Sequence, residues 1–275
     1  MTTPTQTVAS RVRQIWGAVD YQPLAVQDVV VSELLALAAD VHSGYRVLDV
    51  AAGTGNTALA AARRGAQVTA TDLVPSMLET ASRRATAEGL ELDVQTADAA
   101  ELPFEDGTFD VVLSSFGAMY APDQRRTASE LVRVCRTGGR IGMANWTPDG
   151  LIARLQRAMM SVMPAPPQPP PGPPPGPPPM AWGTEKHCRE LFGDSVRELT
   201  ATARVHEMCA RTPQEFVEMQ ARHLPPWHMV HKSLPPEGQQ KLAVAAIAEY
   251  ERANRATDGT LVACAGYLEV VATKA

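Results

Sequence analysis

The chain has 275 residues, 45% of them hydrophobic and 20% charged, with a formal net charge of -5. This composition suits a globular protein with a sizeable core. The acidic balance, without a long basic run, excludes nucleic acid as the main partner, since phosphate neutralisation needs clustered Lys and Arg. No apolar run approaches the roughly 18 residues of a membrane span, and the first residues lack the charged and apolar regions of a signal peptide. Cys135, Cys188, Cys209 and Cys264 form no CxxC pair. A reduced, cytoplasmic protein without a structural metal is expected.

Residues 7–19 and Val26–Ala39 read as helices, the second with Val29, Val30, Leu34, Leu35 and Leu37 as its apolar face. After Gly44 the pattern alternates. Strands are expected at Arg46–Val50, Gln67–Thr71, Leu92–Thr96, Phe109–Ser114 and Arg140–Ala144, the last after a Gly138-Gly139 turn. Helices are expected between them at Ala58–Arg64, Pro75–Glu88 and Pro122–Cys135. Strands alternating with helices of this length imply a parallel sheet with helices on both faces.

The second half begins with a helix over Leu151–Met163, followed by a Pro-rich segment, 164–179, whose Pro-Pro-Pro-Gly spacing predicts an extended, polyproline-like loop. Glu185–Phe192 reads as a helix, Val196–Cys209 as a long strand, Pro213–Arg222 and Pro236–Asn254 as helices, and Thr260–Thr273 as a last strand. The expected fold is α/β: a Rossmann-like, seven-stranded, mostly parallel sheet with helices on both faces and an inserted helical lid. One domain, 1–275, would comprise an N-terminal helical cap (1–43), a cofactor-binding core (44–147), a substrate lid (148–258) with the Pro-rich loop, and the final strand (259–275).

Three of the expected strands end at acids, Asp49, Asp72 and Asp98, and ligands of open α/β sheets bind at that carboxyl edge. Asp49 precedes a loop of small residues, Ala51, Ala52, Gly53, Thr54 and Gly55, which lets a ligand approach the backbone closely. A dinucleotide would set its pyrophosphate over this turn and be repelled by Asp49. S-adenosylmethionine carries a cationic amino-acid end instead, which the acid attracts. Asp72 stands where a carboxylate accepts bonds from both ribose hydroxyls, and Asp98 where it accepts from an adenine amine; each could also cap or turn the chain locally. Gly53-Thr-Gly-Asn-Thr-Ala58 also formally satisfies the G-x-G-x-x-A fingerprint of nicotinamide-dependent oxidoreductases. A non-catalytic scaffold that presents the Pro-rich segment is a further alternative.

Five segments in order resemble the class I S-adenosylmethionine-dependent methyltransferases, in the small-molecule branch of the ubiquinone and menaquinone methyltransferases. They are Val47–Gly55, Ala70–Leu78, Ala97–Phe104, Phe109–Gly117 and Arg133–Arg140, where Thr137 replaces the family's usual proline. The resemblance implies S-adenosylmethionine as cofactor, with Asp49, Ala51, Gly53 and Gly55 at its methionine end and Asp72 at its ribose. It further implies Leu73, Met77, Asp98 and Ala99 around the adenine, and Ser115 near the transferred methyl group. Trp16 and Tyr21 could close over the cofactor or pack as core aromatics.

The acceptor is expected to be a small apolar or aromatic molecule, in a pocket including Phe116, Met119 and Tyr120 after the fourth strand. His223, His228 and His231, within one short lid sequence, join that pocket. They lack a local acid or Cys for a metal, so His228 is the candidate general base.

Overall fold

The computed structural model describes residues 4–163 and 176–275. Most of the Pro-rich loop expected at 164–179 therefore lies outside the described residues. Three N-terminal helices, α1 (Pro4–Trp16), α2 (Gln22–Ala25) and α3 (Val29–Ala38), lead into β1 (Arg46–Val50). Four of the five β1 residues are buried, as suits a central parallel strand covered on both faces. Then follow α4 (Asn56–Arg63), β2 (Gln67–Asp72), α5 (Pro75–Ala87), β3 (Asp93–Thr96), β4 (Phe109–Ser115), α6 (Gln124–Val134) and β5 (Cys135–Trp146). The remainder is α7 (Leu151–Val162), α8 (Glu185–Phe192), β6 (Val196–Ala210), α9 (Pro213–His223), α10 (Pro225–Ser233), α11 (Pro236–Ala253) and β7 (Leu261–Lys274).

The seven strands form one sheet in the order β3-β2-β1-β4-β5-β7-β6. β1 through β5 pair in parallel, while β7 runs antiparallel to both β5 and β6. This arrangement places the carboxyl ends of β1, β2, β4 and β5 side by side, with helices from both halves of the chain over them. This is the expected seven-stranded, mostly parallel Rossmann-like sheet.

Local chemistry sets the element ends. Asp123 accepts from the Arg126 amide to start α6, and Thr184 and Thr212 do the same for α8 and α9. Gly55, at φ 90°, turns the chain from the β1 loop into α4. One expectation needs correction. β5 begins at Cys135, before Gly138-Gly139, because the glycines form an irregularity inside the strand: Phe109 pairs with Cys135 but Val111 already with Arg140. Of the three lid histidines, His223 ends α9, while His228 and His231 lie on a further helix, α10, started by Pro225 and Pro226 at its first turn.

Candidate functional site

A cavity opens above the carboxyl edge of the sheet, walled by loops after β1, β2, β3 and β4, by the N-terminal helices, and by α7, α9 and α10. Its floor holds Asp49, and neither carboxylate oxygen has a hydrogen-bond partner among the described residues. Asp49 is 1% exposed. Burial pushes its carboxyl well above the ordinary range, the Asp72 charge adds to the rise, and only the nearby Ala58 amide, short of hydrogen-bond geometry, opposes it. A buried carboxylate without a partner is costly, and a ligand cation is the group that would satisfy it.

Asp72 uses one oxygen to accept the Gly53 amide at 2.8 Å and the other to accept the Val74 amide at 2.9 Å. It thus pins the glycine loop to β2, and each oxygen keeps a second acceptor site. Burial raises its pKa, against the pull of those amides. Asp98 accepts the Ala100 amide at 2.9 Å, fixing the turn that carries Ala99. Ala51 and Gly53 both adopt φ 54°, so the loop curls left-handed with its backbone facing the cavity.

The other end of the cavity is aromatic. Phe116, itself at φ 53°, stacks on Trp146 with ring centroids 3.6 Å apart and planes 2° off parallel. Trp16 packs against Tyr21 and Tyr120 at 6.1 and 5.5 Å. Ile152, Leu155 and Met159 of α7, Phe216 of α9 and Trp227 of α10 complete the wall. Gly117 joins the two ends, because a Cβ there would collide with the Ala51 carbonyl oxygen.

Residues 47–139 match a family model described as a methyltransferase domain. A protein of Mycobacterium tuberculosis described only as uncharacterised is 43% identical over 201 residues, spanning 72% of this chain and 71% of that one. The demethylmenaquinone methyltransferase of Thermus thermophilus is 44% identical over 117 residues, spanning 40% of this chain and 53% of that one. Among solved structures, the YcgJ protein of Bacillus subtilis superposes with a TM-score of 0.58 at 17% identity, covering 88% of this chain and 97% of that one. The chain belongs to the class I S-adenosylmethionine-dependent methyltransferases. The G-x-G-x-x-A match lies inside the segment that matches a methyltransferase domain and is not a nicotinamide fingerprint.

Of the residues singled out from the sequence, Asp49, Ala51, Gly53, Asp72, Leu73, Met77, Asp98, Ala99, Ser115 and Tyr21 all line the methyltransferase's cavity, as do Phe116 and Tyr120. Gly55 does not. It caps α4 and packs so closely that an added Cβ would lie 2.7 Å from that of Ala81, so its role is the turn and the α4–α5 contact. Met119 is fully buried in the core beside the cavity-lining Ala118.

The histidine assignment also needs correction, since His223, His228 and His231 are absent from the lining. His223 bonds through Nδ1 to the Asp20 carbonyl at 3.0 Å and His228 through Nδ1 to the Ala221 carbonyl at 2.9 Å. A carbonyl only accepts, so both rings donate and serve to bridge segments. α10 reaches the cavity instead through Pro226 and Trp227. No group of three or more His, Cys, Asp or Glu side chains placed to hold a metal occurs among the described residues, and no described helix is long and apolar enough to cross a membrane.

Sequence reasoning missed Asp28, Trp146, Phe216 and Trp227. Trp146 ends β5 and could have been found by the same carboxyl-edge rule that found Asp49. The others reach the cavity only through tertiary packing.

Proposed function

We propose that this methyltransferase transfers the methyl group of S-adenosylmethionine to a small, uncharged, apolar or aromatic acceptor. The carrying observation is the cavity lining: among the described residues it contains no Lys, Arg or His, and its acceptor end is Phe116, Tyr120, Trp146, Met159, Phe216 and Trp227. A phosphorylated or carboxylated acceptor would meet no counter-charge there and would face Asp49, Asp72 and Asp98.

S-adenosylmethionine supplies a methyl group already activated on a sulfonium. Asp49 would hold its ammonium, which fits a buried carboxylate without a protein partner. Ala51 and Gly53 would present backbone to the same end, and Asp72 would accept from the ribose with its remaining lone pairs. Leu73, Met77, Asp98 and Ala99 would enclose the adenine, with Ser115 and Tyr21 toward the methyl group. The chain's own contribution is to align the nucleophile in line with the methyl carbon and to exclude water. Helices α7, α9 and α10, the expected lid, do the latter with their apolar side chains.

The experiment uses a donor with a labelled methyl group and two acceptor pools: neutral naphthalene and coumarin derivatives, and their carboxylated or phosphorylated counterparts. Label should appear in the neutral pool. Label confined to the anionic pool would reject this assignment.

A further inference from the structure

The aromatic end of the cavity contains a polar unit that cofactor binding leaves unexplained. Asp28, between α2 and α3, lines the cavity, with its side chain 17% exposed. The Tyr21 hydroxyl donates to its Oδ2 at 3.3 Å, and its Oδ1 lies 3.1 Å from Nε2 of His206. His206 is 1% exposed on β6, its ring 6.1 Å from that of Trp146, and neither of its ring nitrogens has a hydrogen-bond partner among the described residues, the approach to Asp28 being close but short of hydrogen-bond geometry.

The pair is held in register by its neighbour. The Gln27 side chain donates to the Cys209 carbonyl at 3.1 Å and accepts the Cys209 amide at 3.0 Å, clamping the Asp28 segment onto β6. β6 lies four strands from β1 in the sheet order, on the order of 19 Å at ~4.8 Å per strand. Asp28 meets β6 through His206, whose ring neighbours Trp146 of the aromatic end.

The titratable groups facing Asp28 are Tyr21, Tyr120 and His206. Burial, with the Asp28 charge adding, raises both tyrosines, so they stay neutral and do not compete as bases near neutral pH. Asp28 is left as the cavity's proton acceptor at this end.

We propose that Asp28 is the general base of the transfer, with His206 as its positioning residue, and that the acceptor attacks through a hydroxyl or N–H. The assignment rests on the cavity being a methyl-transfer site for a neutral acceptor. A lone pair on the acceptor oxygen or nitrogen forms the bond to the methyl carbon. The carbon–sulfur bond breaks, and sulfur keeps its electron pair as a neutral thioether. The acceptor's proton passes to the Asp28 carboxylate, whose Oδ2 already accepts the Tyr21 hydroxyl.

The test compares, with labelled donor, a protic pool of naphthol and hydroxycoumarin against aprotic thioether and tertiary-amine analogues of the same ring systems. Label should reach only the protic pool. Asp28→Asn should lower kcat by about 100-fold, the lower range for general-base catalysis, with KM and S-adenosylhomocysteine affinity within about threefold. His206→Gln should show a smaller defect of the same kind. Both defects should shrink as pH rises toward the acceptor's own pKa, about 10 for a simple phenol, because an ionised acceptor needs no base. A purely structural role for either residue would give a defect that pH does not rescue.

Label on the aprotic pool, an unrescued defect, or undiminished turnover in Asp28→Asn would overturn the assignment. Transfer to neither pool by an enzyme that binds S-adenosylhomocysteine would overturn it together with the neutral-acceptor reading. Failure to bind S-adenosylhomocysteine would instead overturn the cofactor assignment beneath it.

Discussion

Around the ends of β1 and β2 and the loop after β3, the cavity wall is backbone and carboxylate: Asp49, Asp72 and Asp98 with the curled loop at Ala51 and Gly53. Beyond β4 it is aromatic and aliphatic, from Phe116 and Trp146 to Trp227, with the Asp28 carboxylate set among them. On the proposed function the first half recognises a molecule of fixed polarity, which suits groups specified to the atom: each Asp72 oxygen has an assigned amide, and Asp49 is left bare. On the same proposal the second half recognises mainly shape, which many apolar side chains can supply. A single fold can thus keep one donor site while its acceptor site is free to change.

The largest effect that would sharpen this contrast comes from Asp49→Asn. Removing one member of a buried charge pair typically costs 2–5 kcal/mol, so calorimetry should find S-adenosylhomocysteine binding weakened on the order of 100-fold. Stability of the free protein should move the other way. Because burial raises the folded-state pKa of Asp49, its contribution is fully present below the unfolded carboxylate pKa and is lost as pH rises through the folded value. The wild-type free protein therefore loses stability as pH rises from the unfolded carboxylate range through the raised folded value, and its ligand affinity should rise as the carboxylate ionises. Asp49→Asn should flatten both trends, and thermal melts with and without ligand check them. A variant that lost stability at neutral pH without losing affinity would break the contrast.

Gly117→Ala should come next and strike both halves at once. The new Cβ meets the Ala51 carbonyl oxygen, a backbone atom that cannot swing away, so the loops after β1 and β4 must separate. Overpacking of this sort costs about 1–3 kcal/mol. About tenfold losses in both S-adenosylhomocysteine affinity and acceptor KM should follow. A loss confined to one half would show that the two are less firmly joined than the contact implies.

Trp227→Leu should affect only the acceptor half. Trp227 lines the cavity from α10, the apolar element farthest in sequence from the glycine loop. Loss of its ring should raise acceptor KM several-fold, consistent with the value of a buried aromatic contact, and leave S-adenosylhomocysteine affinity within about twofold.

The unequal legibility of the two halves in the sequence has the same physical origin. Asp49, Ala51, Gly53, Asp72 and Asp98 sit at the ends of consecutive strands, and their strand-loop-helix context is local, so spacing alone brings them together. The acceptor half draws Trp16 from α1, Trp146 from β5, Phe216 from α9 and Trp227 from α10. Which face of each helix turns inward depends on packing against partners far away in sequence, and no local pattern encodes that. The alternation of elements gave the sheet its correct strands, including β6 and β7. The α10 helix, for which the sequence pattern predicts no element, starts at two prolines that fit a first helical turn.

The smallest effect concerns His228, which the sequence nominated as a base. Its Nδ1 donates to the Ala221 carbonyl, in the last turn of α9, where helix carbonyls lack intrahelical partners. His228→Ala removes that bond and leaves the carbonyl to water, a stability loss of about 0.5–1.5 kcal/mol. Turnover and cofactor affinity should both stay within about twofold, because the ring does not line the cavity. The pH profile should also be unchanged, which separates His228 from Asp28 and His206, whose variants should respond to pH. A His228→Ala enzyme with a collapsed kcat and intact stability would return the acceptor half's proton chemistry to α10.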